Sequence, residues 1–390
     1  MPSVFISRQP LVNRQSKIIA NRLTLHFVDG ATCADAAAQL NALGDCWPQG
    51  EKPVFIDCRG ATLDARLLDW VAPANVTLEV PSSLLEGEDG RALAAELQAG
   101  GASLCLRVEG GNVVVPADLP VRFLAFDARR LSPAELKGAA LQAQAHGIGV
   151  AYNVFDGAAF KACLDAGLAA AASWFFKHPG TPVGKALNPG QAQIVRVLNL
   201  VRKNADVKDI EAALKQDVAL SYKLLRYINS AGFGLSCEIQ SFRHAVTILG
   251  YDKLNKWLSL LLATASKDPM APALLHTALT RARLMEELSH GLVERQEYDN
   301  LFITGAFSLL DLLLGVSMDK VLESMHLPEP ISDALLGRGG VYGPFLELAQ
   351  VSEGEDGALL AERAGMLGLS SEQFNRAQLH ALSFADAMEF

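Results

Sequence analysis

An α/β domain followed by an all-helical domain is the fold class that this sequence predicts, on three observations. From Val4 to about Pro179, short β-type runs alternate with segments of helical period. From about Pro189 to the end nearly every segment has helical period. Between them the stretch HPGTPVGKALNPG, residues 178–190, is rich in Pro and Gly, which end regular structure and favour an exposed connection. The expected division is residues 1–180, a linker at 181–190, and residues 191–390.

In the first half the strand candidates are VFIS (4–7), KIIANRLTLHF (17–27), VFIDC (54–58), VTLEV (76–80), SLCLRV (103–108), VRFLAFD (121–127), IGVAYNV (148–154) and LAAAASWFF (168–176). Most are apolar on both faces, as strands covered on both sides must be. Amphipathic stretches at 33–44, 83–100 and 132–147 separate them, which points to repeated β-α units around a parallel sheet. An α/β barrel and a doubly wound sheet both satisfy this pattern. In the second half Ile194, Val197, Leu198 and Val201 form one helical stripe, and Val218, Leu220, Leu224, Leu225 and Ile228 form another. Such stripes are core faces and carry no cofactor meaning.

Composition narrows the function classes. With 50% hydrophobic and 20% charged residues the chain is too apolar to be disordered, and its 390 residues are too many for one ordinary domain. A net charge of −9 argues against nucleic acid or an anionic membrane as the main partner. Six cysteines stand far apart with no C-x-x-C pair, which reads as a reducing compartment. The start lacks the pattern of a signal peptide, and the apolar run from Trp257 to Ala263 is too short to span a bilayer. A cytoplasmic location without membrane insertion is the expectation.

The opening FISRQPLVNRQSKIIANRL matches the phrase F-x-x-R-Q-P-[IL]-x-[DN]-R-x-x-K-[IV]-[IV]-A-x-x-L, and resembles two-domain bacterial signalling proteins in which an EAL domain precedes an HDOD domain. The second half resembles the HDOD part through QDVALSYKLLRYINSAGFG (216–234) and IQSFRHAVTILGYDKLNKWLSLL (239–261). The residues carrying those signatures are Gln216, Asp217, Arg226, Asn229, Ser230 and Gly250. The resemblance implies a barrel of EAL (TIM-like) type, related to cyclic di-GMP phosphodiesterases and here shortened, followed by an all-α HDOD domain.

The same resemblance allows an audit of the metal-dependent site that EAL phosphodiesterases use, in which several carboxylates converge at the carboxyl ends of strands. Arg22 stands at the position of the motif glutamate, and His26 at that of a phosphate-binding arginine. Asp57 and Glu79 match acidic or amide ligand positions, whereas Arg107 and Val108 stand where an Asp-Asp pair is expected. Ala125 replaces a lysine, Asp127 is retained, Phe155 replaces a glutamate, and Ala172 falls in the base-contacting stretch. A guanidinium repels a divalent cation, so no metal and no cofactor is expected. Arg22 and Arg107 are expected to pair with Glu79 and Asp127, or else to bind an anion such as a phosphate.

In the helical half no His-Asp dipeptide occurs, and Ser308 and Leu309 stand where the related metal-dependent phosphohydrolases carry one. His276, His290 and Asp311 remain as scattered candidate ligands. Gln216, Asp217, Asn229 and Ser230 read as caps and turns of the fold. The functional expectation is a non-enzymatic signalling scaffold that binds other signalling proteins, with a homodimer allowed. The alternative is a cyclic di-GMP or phosphate receptor that does not hydrolyse its ligand. The short barrel should need an apolar cover, which the helical domain is expected to supply, and the tail FADAMEF (384–390) is either docked or disordered.

Overall fold

The computed structural model describes residues 2–58, 62–108, 115–177, 187–216, 239, 241–264, 266 and 268–388. The chain divides into two compact units, one of residues 1–179 with 350–379 and one of residues 180–349 with 380–390.

The first unit is built on eight strands: β1 (Ser3–Asn13), β2 (Ile18–Val28), β3 (Val54–Asp57), β4 (Val76–Pro81), β5 (Ser103–Val108), β6 (Phe123–Asp127), β7 (Ile148–Tyr152) and β8 (Ala170–Ala172). They close in sequence order into a barrel, which decides between the two sheets that the sequence leaves open. Strands β2 to β8 run parallel, while β1 is antiparallel to both of its neighbours. The reason lies in the β1–β2 connection, which is a tight turn and far too short for a crossover. There the Asn13 side chain accepts the backbone N–H groups of Gln15 and Lys17, both at 3.0 Å, and Ser16 takes a positive φ of 58°. The turn residues of the N-terminal phrase are thus structural.

Four helices return over the barrel: α1 (Cys33–Ala42), α2 (Glu88–Ala99), α3 (Pro133–His146) and α4 (Gly157–Ala166). Among the described residues only a 3-10 turn, Ala65–Asp69, stands between β3 and β4, and no helix between β5 and β6. Among the described residues the barrel has fewer than eight outer helices. Helix α2 starts later than its sequence pattern suggests because Ser82–Glu86 forms a 3-10 turn. Helix α4 is absent from the sequence reading, and its start is fixed by Asp156, whose carboxylate accepts the Ala159 N–H at 2.7 Å.

The assignment of all residues from 191 to 390 to one helical domain is corrected by residues 350–379, which pack on the barrel. Strand β1 has 11 residues but meets β8 only at Leu11–Asn13, so its first half overhangs. An overhang exposes alternate backbone groups that must find partners. The returning segment supplies them. Asn375 accepts from the Ile6 N–H at 2.9 Å and donates to the Val4 carbonyl at 2.8 Å, Gln378 donates to the Ile6 carbonyl, and the Arg8 N–H reaches the Ser352 carbonyl at 2.9 Å. Phe374 packs 6.1 Å from Phe5 between ring centroids. The cover of this part of the barrel therefore comes from residues 350–379.

Among its described residues the regular structure of the second unit is all helical. Helix α5 (Pro189–Arg202) starts with a reciprocal cap in which the Asn188 and Gln191 side chains each accept the other's backbone N–H at 2.9 Å. Its stripe of Ile194, Val197, Leu198 and Val201 is buried, as the period requires. Helix α6 (Val207–Lys215) follows, and Gln216 is its C-cap. The second stripe, and with it Asp217, Arg226, Asn229 and Ser230, lies outside the described residues. Gly250 interrupts the helical segment Phe242–Thr264 with φ 74° and ψ 174°, a conformation essentially reserved for glycine. Gly305 lets the helix Tyr298–Phe307 approach Ala271–Ser289 closely, since a Cβ there would lie 2.6 Å from the Ala282 backbone. The C-terminal tail is docked through Phe384, edge-on to Phe302 at 6.0 Å, as far as Met388. Among the described residues no helix is long and apolar enough to cross a membrane.

Candidate functional site

The strand period of two decides what faces the barrel interior. Leu11, Ala20, Phe55, Cys105, Phe123, Ala125, Val150, Tyr152, Ala170 and Ala172 form an apolar plug. Two residues further along their strands, toward the carboxyl ends, Arg22, Asp57 and Arg107 follow Ala20, Phe55 and Cys105. Asp57 is the register partner of Glu79 across β3 and β4. Four charges are thereby stacked on the inner wall of the mouth.

They neutralise one another. Arg22 grips Glu79 with two bonds, Nε to Oε1 at 2.5 Å and Nη2 to Oε2 at 2.7 Å, and Nη2 also reaches Asp57 Oδ2 at 2.8 Å. Arg107 Nη1 donates to Asp57 Oδ1 at 3.2 Å. The Asp57 carboxylate is fully shielded from solvent, and the Glu79 and Arg22 side chains are each 3% exposed. Burying such carboxylates is tolerable only with paired cations. Burial by itself would lower the Arg22 pKa, but the charge of Glu79, followed by that of Asp57, more than offsets it and holds the guanidinium above its usual range. Arg22 also lies 5.8 Å from the Tyr152 ring centroid.

Arg107 and Glu79 share a cavity of about 270 Å³, with Cys58, Thr62 and Ser83 also on its wall. The expected pairing is right for Arg22 with Glu79 and wrong for Asp127. Asp127 instead turns to its own loop, where it accepts the Arg129 N–H at 3.0 Å and faces the Arg129 and Arg130 side chains at 3.4 and 3.6 Å. Asp57 takes its place in the cluster. Arg22 is too deeply engaged to receive an anion, and of the two arginines only Arg107 lines the cavity.

The remaining audited positions scatter. His26 Nε2 lies 2.7 Å from Ser7 Oγ. Val108, Ala125 and Ala172 are buried core residues, and Phe155 is exposed beside Arg129, whose Cζ is 5.5 Å from its ring. A divalent metal, which the EAL resemblance implies, does not fit: the guanidinium of Arg22 occupies the space between Asp57 and Glu79. Among the described residues no group of three His, Cys, Asp or Glu side chains could hold a metal ion.

One cluster was not read from the sequence. Arg8 of the N-terminal phrase is buried with Glu353, Nη2 to Oε1 at 3.0 Å, and Lys177 reaches the other oxygen of the same carboxylate at 2.6 Å. Trp174 lies against both cations, 4.9 Å from Arg8 Cζ and 4.1 Å from Lys177 Nζ. The motif arginine is a signal, but the partner 345 positions away is invisible to any local pattern. In the helical unit the scattered candidates go to separate partners. His276 Nε2 meets Asp386 at 2.9 Å, and His290 Nδ1 lies 3.8 Å from Glu287. Burial raises the Asp311 pKa. Ser308 accepts a bond from Arg281 at 2.9 Å.

Comparison with known proteins matches residues 189–324 to the HDOD domain. The chain is 28% identical over 223 residues to the cyclic di-GMP phosphodiesterase CdgJ of Vibrio cholerae, covering 57% of this chain and 52% of that protein. It is 25% identical over 232 residues to the uncharacterized protein YuxH of Bacillus subtilis, covering 58% and 55%. The chain thus spans about half the length of the curated relatives it matches. Among solved structures, the EAL domain of Mycobacterium smegmatis DcpA matches at 16% identity over 44% of this chain and 91% of that one, with a TM-score of 0.35. A cyclic di-GMP complex of the PaMucR phosphodiesterase matches at 14% identity over 45% and 92%, also at 0.35.

These findings correct the functional expectation. A non-enzymatic scaffold, and a receptor that binds without cleaving, do not stand beside a relative named as a phosphodiesterase. Substitution at individual ligand positions does not establish inactivity. A closed eight-stranded barrel ahead of a segment, residues 189–324, that matches the HDOD domain is the arrangement that the sequence resemblance implied.

Proposed function

We propose that this protein works in cyclic di-GMP signalling as a phosphodiesterase, opening a phosphodiester bond of the cyclic dinucleotide at the barrel mouth. The observation that carries this reading is the likeness to the Vibrio cholerae phosphodiesterase. The geometry supports it in one respect: Arg107 and Glu79 face one cavity at the carboxyl ends of parallel strands, where barrels of this class hold their chemistry. In this reading Arg107 binds the non-bridging phosphate oxygens, a task suited to its planar fork. Glu79, held in place by Arg22, accepts a hydrogen bond from the attacking water and aligns it. The water oxygen bonds to phosphorus as one P–O ester bond breaks, a water proton passes to the departing ester oxygen, and the product is linear. At about 270 Å³ the cavity takes the phosphodiester and its immediate neighbours, so the rest of the dinucleotide lies beyond the rim.

The test is incubation of the full chain with cyclic di-GMP, in separate reactions with Mg²⁺, with Mn²⁺ and with a chelator, followed by chromatography for the linear product. The expected result is product above a protein-free blank, reduced about 100-fold in Arg107→Ala, the usual loss on removing one stabilising donor. No product in any of the three reactions overturns the reading.

A further inference from the structure

The helical unit holds a second buried cation, in a setting opposite to that of Arg22. Arg202 ends helix α5, and its Nε donates to Asn255 Oδ1 at 2.8 Å. Its Cζ lies 5.7 Å from the Phe307 ring centroid. Both terminal nitrogens, Nη1 and Nη2, are shut off from solvent and donate to no acceptor among the described residues. Burial pushes the Arg202 pKa down to about 10. A guanidinium whose two terminal nitrogens are left unmet is costly to bury, and buried charges are ordinarily paired.

The same side chain lines a pocket of about 420 Å³. Its wall carries Tyr251 and Asn255 on the polar side and Leu327 and Ile331 on the apolar side. The Tyr251 hydroxyl donates to the Ala205 carbonyl at 2.8 Å, which leaves its oxygen able to accept from a ligand. Asp252 also lines the pocket but is exposed to solvent, where its charge is screened. Among the described residues the guanidinium is held by one hydrogen bond, to Asn255, and an oxyanion in the pocket is met only if Nη1 and Nη2 turn toward it.

We propose that this pocket is a small-molecule site whose ligand presents an oxyanion, phosphate or carboxylate, to Arg202 and an apolar body to Leu327 and Ile331. The oxyanion meets a cation that folding has already stripped of water, so binding does not incur that desolvation again. The planar fork accepts two anionic oxygens at once. The volume lies within the range of about 300–1,000 Å³ typical of small-molecule sites. The site is independent of the barrel mouth and of the reading given to it.

Thermal unfolding of the full chain at constant ionic strength tests the proposal, with phenyl phosphate, benzoate and chloride as probes. A ligand that binds the folded state raises the midpoint with concentration. The expected result is a saturable rise with phenyl phosphate or benzoate beyond that with chloride. Phenyl phosphate alone identifies a phosphate ligand, and benzoate alone a carboxylate. In Arg202→Met the half-saturating concentration rises at least tenfold, while the barrel variant Arg107→Ala leaves it unchanged. Arg202→Met removes an uncompensated charge and keeps the apolar stem, so it should fold. Arg202→Lys, which keeps the charge but loses the fork, serves as a second variant with an intermediate shift. Midpoints that no probe raises above chloride overturn the proposal, as does an equal response in wild type and both Arg202 variants.

Discussion

Arg22 grips the buried carboxylate of Glu79 and shares that of Asp57 with Arg107. Arg22→Met should therefore destabilise the protein by about 3–5 kcal/mol, the usual cost of breaking a buried pair from one side, read as a lower urea midpoint. A loss below about 1 kcal/mol would mean that Asp57 and Glu79 find other partners or water. Thiol chemistry gives a second prediction at this scale. Burial, and after it the charge of Asp57 at Cys58 and of Glu79 at Cys105, raises both thiols well above their usual pKa, and burial pushes Cys46 and Cys163 up to about 11. A raised thiol pKa leaves less thiolate at pH 8, and the thiolate is the reactive form. In a Cys237→Ser variant, native protein at pH 8 should react slowly with a disulfide reagent and completely once unfolded. Two or more fast-reacting native thiols would contradict the burial described.

At the scale of elements, Gly250 and β1 show two kinds of constraint. The backbone at Gly250, φ 74° and ψ 174°, has open space where a Cβ would sit, so the cost of a side chain there is conformational rather than steric packing. Gly250→Ala should lose about 1–3 kcal/mol by chemical denaturation, and an unchanged midpoint would show that the turn relaxes freely. The glycine of the HDOD signature is legible in the sequence, and its reason is this turn between two helical segments. Strand β1 is legible as a strand from its apolar run, but its reversed direction is not. Direction follows from the tight turn after Asn13, whose side-chain bonds to Gln15 and Lys17 are a local cue that an apolar pattern does not report. Helix α4 went unread because GAAFKACLDA is short and rich in Ala, with its stop set by Gly167 in the left-handed region.

For the whole molecule, the return of residues 350–379 to the barrel is the largest departure from the sequence reading. A chain ending at residue 349 would leave the overhanging edge of β1 without Asn375, Gln378 and Ser352, and Arg8 and Lys177 without Glu353. Limited proteolysis should therefore cut the barrel unit of the truncated chain far faster than that of the full chain, and equal cutting rates would show that the barrel holds without this segment. The strand positions and the α5 stripe follow from the sequence because apolar runs and a period of 3.6 are carried within a single segment, whereas strand order and closure depend on how the segments pair. The Arg22–Glu79 pair could also be foreseen, because consecutive strands of a barrel bring the same level of each strand to one rim. Which carboxylate completes the cluster, Asp57 rather than Asp127, was decided by the loop after β6, whose backbone and arginines claim Asp127 first. The Arg8–Glu353 contact and the unmet donors of Arg202 were decided by tertiary structure alone, since a long-range pairing, or its absence, depends on where distant segments come to rest and leaves no periodic trace along the chain.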